Sequence, residues 1–297
     1  MSIYPLTAKF TLADLRNARV SGRRVPMLTC YDYTTARLMH DAGVPFILVG
    51  DSAANVILGH STTLPVSLEF MSEITAAVRR GAPQALLVAD LPFGSYGGSV
   101  ERGFESSIRL MKQTGADLIK IETAEGHLPL VRQLADAGVG VIAHMGLRPQ
   151  SVGVVGGFRA QGKTADDAME IVSLAIRMQQ AGAVAILLEA VPPEVAEKVV
   201  EETNVPVIGC GAGPACHGHV VVTHDILGLT PHRPKFAPLL GDVATPMRAA
   251  LAAYVEQVQG GAYPAAEHNY NMTADEKRKF LTSSQREAST YHESGPW

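Results

Sequence analysis

The sequence predicts a (β/α)₈ TIM barrel, and three observations carry that prediction. Eight short runs rich in Val, Ile and Leu recur along the chain; amphipathic segments of helical spacing separate most of them; and five of the runs end at or next to an ionisable residue. A barrel of eight strand-helix units takes about 250 residues. The 297 residues present hold that and leave room for extensions at both ends.

The predicted strands are Val25–Cys30, Phe46–Gly50, Ala85–Ala89, Leu118–Ile121, Val139–Ala143, Ala183–Leu188, Val205–Gly209 and Val220–Thr223. They read as near-continuous apolar runs because parallel strands are buried on both faces. Between them the spacing predicts helices over Thr34–Ala42, Leu68–Arg80, Val100–Thr114, Leu128–Ala137, Ala165–Ala181 and Glu194–Glu202. Four helices run into Gly43, Gly115, Gly138 and Gly182, where glycine supplies a left-handed cap before the next strand. Thr245–Val258 reads as one more amphipathic helix. The expected organisation is a single barrel domain with an N-terminal extension over 1–264, followed by a polar tail over 265–297 that is partly disordered or covers an interface.

Composition narrows the function. A net charge of -4 with scattered Lys and Arg offers no basic stripe for a phosphate backbone, which excludes nucleic acid as a partner. Cys30, Cys210 and Cys216 lack a disulfide spacing, which suits a reducing compartment. No signal peptide is visible in the first 20 residues, and no apolar stretch reaches the roughly 18 residues of a membrane span. The expected location is the cytoplasm.

The chemistry lies where polar residues stop the strands. Asp51, Asp90, Glu122, His144 and Glu189 each stand at or beside a C-terminal strand end, the rim on which barrel active sites are built. One such Asp is commonly just a helix cap. Four carboxylates on one rim would repel one another and raise their pKa values, and a divalent cation resolves the repulsion. An all-oxygen donor set points to Mg²⁺ ahead of Mn²⁺, with Asp51 and Asp90 as direct ligands and Glu122 in reserve. Lys120 lies two residues before Glu122 and therefore shares its side of the strand, the barrel interior, where a buried ammonium needs an anion.

Two segments read as functional loops. Gly50–Asn55 offers backbone N–H groups and the Ser52 hydroxyl to a carboxylate, and Gly153–Lys163 is too glycine-rich for a helix and suits a lid or a long connector. Cys216-His217-Gly218-His219 matches no zinc spacing and reads as a surface turn.

The strings Tyr31-Asp32-Tyr33, Gly50-Asp51-Ser52-Ala53-Ala54-Asn55, Ala89-Asp90-Leu91-Pro92-Phe93, Lys120-Ile121-Glu122, His144-Met145-Gly146 with Gln150-Ser151-Val152, Leu188-Glu189 and Gly209-Cys210-Gly211-Ala212-Gly213 together resemble the ketopantoate hydroxymethyltransferase family, in order from about Thr11 to about His268. The resemblance implies transfer of a hydroxymethyl group from 5,10-methylenetetrahydrofolate to 3-methyl-2-oxobutanoate, giving 2-dehydropantoate in pantothenate biosynthesis. It also implies a barrel of the phosphoenolpyruvate mutase/isocitrate lyase type and a homodecamer. By motif, Asp51 and Asp90 take the metal-ligand positions and Glu122 a water-mediated one; Asp51, Ser52, Asp90 and Lys120 take the keto-acid contacts; Glu189 takes the catalytic base. His144 is expected to orient substrate or folate. The chain departs from the family pattern at Thr123 and Ala124, Arg148, Gly153 and His217, and its tail runs past the usual terminus. Rival readings are a metal-dependent lyase or transferase acting on another 2-oxo acid, and a non-catalytic barrel scaffold; the latter gives no reason to bury four carboxylates with a lysine.

Overall fold

The computed structural model describes residues 8–157 and 159–293. Met1–Thr7 of the N-terminal extension, Phe158 of the glycine-rich loop and Ser294–Trp297 of the tail lie outside the described residues. Eight parallel strands close a barrel in sequence order. They are β1 (Val25–Thr29), β2 (Phe46–Val49), β3 (Leu86–Asp90), β4 (Leu118–Glu122), β5 (Gly140–Gly146), β6 (Ala185–Glu189), β7 (Val207–Cys210) and β8 (Gly218–Val221). The closing pair is β1 with β8, Met27 opposite Val220.

Strand parity decides which wall each side chain joins. Met27, Phe46, Leu48, Leu86, Val88, Leu118, Ile142, Ala185, Leu187, Ile208 and Val220 form one buried cluster, and their odd-even partners, such as Ile47, Leu87, Ile119, Val141 and Ile186, form another with the helices. Asp90, Lys120, Glu122, His144 and Glu189 keep the parity of the first cluster. The interior is apolar along most of each strand and turns polar at the C-terminal end.

The N-terminal extension contains a helix that the apolar periodicity had not revealed, α1 (Leu12–Ser21). A capping box between Thr11 and Asp14 starts it, and Gly22, at φ 70°, ends it. Its Leu15 and Ala18, with Phe10, join the interior cluster. The layer helices follow the predicted segments within a residue or two at each end: α2 (Tyr33–Asp41), then after the single turn α3 (Ala53–Val56), α4 (Leu68–Gly81), α5 (Val100–Thr114) and α6 (Leu128–Asp136). After the short α7 (Val152–Val155) come α8 (Ala165–Gln180), α9 (Pro193–Glu202) and the single turn α10 (Thr223–Ile226). Gly43, Gly115, Gly138 and Gly182 all carry positive φ, as the cap reading requires.

Three local expectations are corrected. β8 begins at Gly218, two residues early, because a Cβ there would lie 2.6 Å from the Val25 carbonyl oxygen, so only glycine lets β8 close against β1. Cys216–His219 is accordingly not a surface turn: Cys216 is buried, and His217 Nδ1 accepts the Val207 N–H at 2.9 Å. Gly153 sits inside α7, and the turn ends only where Gly156 and Gly157 take φ of 78° and 114°.

The chain forms two compact units, Met1–Asp242 and Val243–Trp297. The second unit contains α11 (Ala244–Gln259), which the sequence reading had grouped with the barrel, and α12 (Ala274–Glu293). Asp275 and Glu276, paired with Arg278 and Lys279 one turn later, support the start of α12. Among the described residues no helix is long and apolar enough to cross a membrane.

Candidate active site

Asp90, Glu122 and Glu189 are the last residues of β3, β4 and β6, and Asp51 follows β2 by two residues. His144 lies two residues inside the end of β5, opposite Glu122 on β4 and Leu187 on β6. The residues form one connected set. The Asp51 N–H donates to Asp90 Oδ2 at 3.1 Å, and the Lys120 ammonium lies 2.8 Å from the same oxygen. Lys120 Nζ also reaches His144 Nδ1 at 3.2 Å, and His144 Nε2 lies 3.2 Å from Glu189 Oε2. The two are near but not in hydrogen-bonding line, so Nε2 is buried without a partner.

Ser52 stands apart from this chain of contacts, its hydroxyl 2.8 Å from the Tyr31 hydroxyl. The Gly50–Asn55 segment offers fewer free donors than expected. The N–H groups of Ala53, Ala54 and Asn55 donate to the carbonyls of Gly50, Asp51 and Ser52, because the segment winds into α3.

Burial sets the charge states. It pushes Asp90 up to about 7 against the pull of Lys120, Glu122 up to about 9, and Glu189 up to about 7. Burial alone would lower Lys120, but Asp90, Asp51 and Glu122 raise it overall, so it stays an ammonium. Burial, helped by Lys120, drives His144 well below its usual value, so it is neutral. A group held above its usual pKa keeps a proton that the unfolded chain has released. Stability from Asp90, Glu122 and Glu189 is therefore present near pH 4 and lost as pH climbs through 7 toward 9. The metal-free protein is expected to melt at a lower temperature at pH 8.5 than at pH 5.5, with Glu122→Gln flattening the difference. A melting temperature that rises across this range would contradict the assignment.

The backbone around Glu189 is held in an unusual shape. Ala190 has φ 48°, a left-handed conformation costly for a residue with a Cβ, and its N–H donates to the Cys210 carbonyl at 2.8 Å. Across the strand pair, Gly146 (φ 86°) leaves space where a Cβ would lie 2.4 Å from the Glu189 carbonyl oxygen.

Residues 9–266 match the model of the family described as ketopantoate hydroxymethyltransferase. A protein of Ralstonia nicotianae named 3-methyl-2-oxobutanoate hydroxymethyltransferase is 45% identical, the match covering 88% of this chain and 94% of that one. One of the same name from Thermobifida fusca is 43% identical with the same coverage. The chain belongs to the ketopantoate hydroxymethyltransferase family. It is therefore an enzyme, a hydroxymethyltransferase. Solved structures add the fold: 2,3-dimethylmalate lyase, a phosphoenolpyruvate mutase/isocitrate lyase superfamily member, superposes at TM-score 0.55 with 17% identity, over 94% of this chain and 98% of its own. Phosphonopyruvate hydrolase in complex with oxalate and Mg²⁺ superposes at 0.56 with 16% identity, over 93% and 96%.

Among the described residues no group of three or more His, Cys, Asp and Glu side chains is gathered as a metal cage. Lys120 pairs with Asp90 and Gln150 bridges Asp51 and Glu122 instead. The donor set nevertheless fits a hard cation. Asp90 Oδ1 is buried and has no partner, although Oδ2 is paired, and a carboxylate oxygen left so is costly without a cation or water.

Gln150 and Tyr96 are the site residues that sequence reasoning missed. Gln150 Nε2 donates to Asp51 Oδ2 and to the Leu91 carbonyl, both at 2.9 Å; its N–H reaches Glu122 at 3.0 Å; and its Oε1 accepts the Tyr96 hydroxyl at 2.7 Å. Gln150 belongs to a string that carries the resemblance, but nothing local gives it or Tyr96 a role, since one reaches the site from a single 3₁₀ turn and the other from a loop. Gln150→Ala takes the side-chain donor from two buried acceptors, Asp51 Oδ2 and the Leu91 carbonyl, while the Tyr96 hydroxyl keeps the Glu122 carbonyl at 3.4 Å; the expected cost is about 1–3 kcal/mol for each acceptor that water cannot reach. Thermal unfolding of the variant measures it, and an unchanged melting temperature would remove Gln150 from the framework.

Proposed function

We propose that this hydroxymethyltransferase moves the one-carbon unit of 5,10-methylenetetrahydrofolate onto C3 of 3-methyl-2-oxobutanoate, giving 2-dehydropantoate in pantothenate biosynthesis. The observation that carries the reading is the contact chain from Asp90 through Lys120 and His144 to Glu189, which joins an ammonium-carboxylate pair to a separate carboxylate with pKa near 7. An enolising enzyme needs such a division, one part for the substrate's charge and one for its proton. The names of the relatives and the Mg²⁺-oxalate complex of a structural neighbour support the same choice.

Asp51 and Asp90 would hold Mg²⁺, or Mn²⁺, with Glu122 acting through water. When bound, the cation supplies Lewis-acid charge beside the carboxylate and keto oxygens of the substrate. Lys120 adds a fixed positive charge for the substrate's carboxylate, and Ser52 a hydroxyl. Glu189 takes the proton from C3 as the C–H bond breaks. The electron pair left on C3 forms the new bond to the carrier's methylene carbon, whose two bonds to nitrogen break; water supplies the hydroxyl group, and its remaining proton and the one taken from C3 end on the two nitrogens. Gln150 and Tyr96 keep the carboxylates apart and oriented. The proposal extends to the homodecamer that the family resemblance implies.

The test follows the C3 proton of 3-methyl-2-oxobutanoate by NMR in D₂O with Mg²⁺. Exchange, followed by hydroxymethylated product on addition of methylenetetrahydrofolate, is the expected result. No exchange by folded, Mg²⁺-loaded protein would refute it.

A further inference from the structure

His144 was expected to touch substrate, but its surroundings assign it other work. Both ring nitrogens face protein groups: Nδ1 the Lys120 ammonium at 3.2 Å, Nε2 the Glu189 carboxylate at 3.2 Å. An ammonium has only protons to give, so Nδ1 accepts, and a neutral imidazole must then carry its proton on Nε2. Glu122 Oε1, 3.9 Å from Nδ1, is too distant to reverse this. The ring is 2% exposed, and its Nε2 has no hydrogen-bond partner in line. At 3.2 Å the distance is already that of a hydrogen bond, so a change of angle at the Glu189 carboxylate, which is 19% exposed, suffices to bring Oε2 onto the N–H.

We propose that His144 is a positioning residue for Glu189: Lys120 fixes the imidazole in its Nε2-protonated form, and Nε2–H holds Oε2 so that Oε1 faces the C3 proton. This rests on the reading of Glu189 as the base and adds to it how that base is aimed. A donor on one oxygen favours the ionised carboxylate, and it cannot pair with a protonated Oε2 in the same way. The charged and titratable groups facing Glu189 are Lys120 from β4, His144 from β5 and the Cys210 thiol from β7, which is opposite Glu189 in register. Burial, then the Glu189 charge, raises Cys210 well above its usual value, so it stays a neutral thiol. Arg148, which donates to the Thr123 carbonyl, helps Lys120 keep His144 neutral.

The amide variants separate the two nitrogens. An Asn amide reaches the place of Nδ1 only, while a Gln amide reaches the place of Nε2. His144→Asn is expected to slow C3 exchange about 30-fold with KM for the keto acid within twofold, and to move the acid limb of the pH profile up by about one unit; His144→Gln restores most of both. A raised KM at unchanged kcat, or an unmoved acid limb, would return His144 to a substrate contact and overturn the proposal. Long-range ¹H–¹⁵N spectra of the metal-free wild type give a readout that needs no turnover. They are expected to show the Nε2-protonated tautomer, and either an Nδ1-protonated ring or an imidazolium would overturn the assignment. Wild-type protein with that tautomer and no C3 exchange would instead refute the proposed function while leaving the tautomer intact.

Discussion

Glu189→Gln is expected to lower kcat and the C3 exchange rate together by about 10³-fold, the range spanned by loss of a general base. The amide matches the carboxylate in shape and fills the same place at the end of β6, so the barrel wall and the Ala190 turn are preserved. Binding of the keto acid should change no more than about threefold, because the groups proposed to hold it lie on β3, on β4 and just after β2. The wild-type profile carries a second signature. A base works when ionised, and burial has pushed Glu189 up to about 7, so activity should rise with pH and level off above that value. Exchange within tenfold of wild type in the Gln variant would place the base elsewhere.

Lys120→Met is expected to do the most damage to stability. The ammonium is 4% exposed and lies 2.8 Å from Asp90, with Asp51 and Glu122 adding to the field that keeps it charged. Methionine keeps the length and packing of the stem and removes the only cation in the contact set. Breaking a buried ion pair from one side costs about 3–5 kcal/mol, because the carboxylates remain without a counter-charge. The loss should be largest at pH 8, where Asp90 must otherwise ionise, and smaller at pH 5, where it takes up a proton. Thermal unfolding of the metal-free variant at both pH values measures it. A loss below about 0.5 kcal/mol at pH 8 would mean that Lys120 is not the charge that holds the site together. The variant should also lose keto-acid affinity by at least tenfold, since the substrate's carboxylate meets three acids and no ammonium.

The strands and most of the layer helices were legible because local signals produce them. Apolar runs bounded by Gly, Pro and Asp mark buried parallel strands, and a helix that ends on Gly115 or Gly182 announces its own cap. α1 was harder to see. Its buried residues, Leu15 and Ala18, are too few to set a strong period, and its start depends on a Thr11–Asp14 box that uses a short acid. β8 was misplaced because Gly218 and His219 look like a turn until the Val25 carbonyl is set beside them.

The acidic site divides in the same way. Parity along a strand is a local property, so Lys120 with Glu122 on one wall followed from their spacing, and the acids at the ends of β3, β4 and β6 stood out from apolar runs. Their partners did not. Gln150 is 99 positions from Asp51, and the His144 ring meets Glu189 only because β5 and β6 pair with Gly146 opposite that residue. The sequence by itself determined a barrel, a rim of carboxylates and one buried lysine, all consequences of short-range periodicity and of the cost of burying charge. The tertiary structure alone decided that Lys120 sits on Asp90, that Gln150 stands between Asp51 and Glu122, and that His144 faces Glu189, because those contacts arise from strand register and loop closure over long separations that no local pattern encodes.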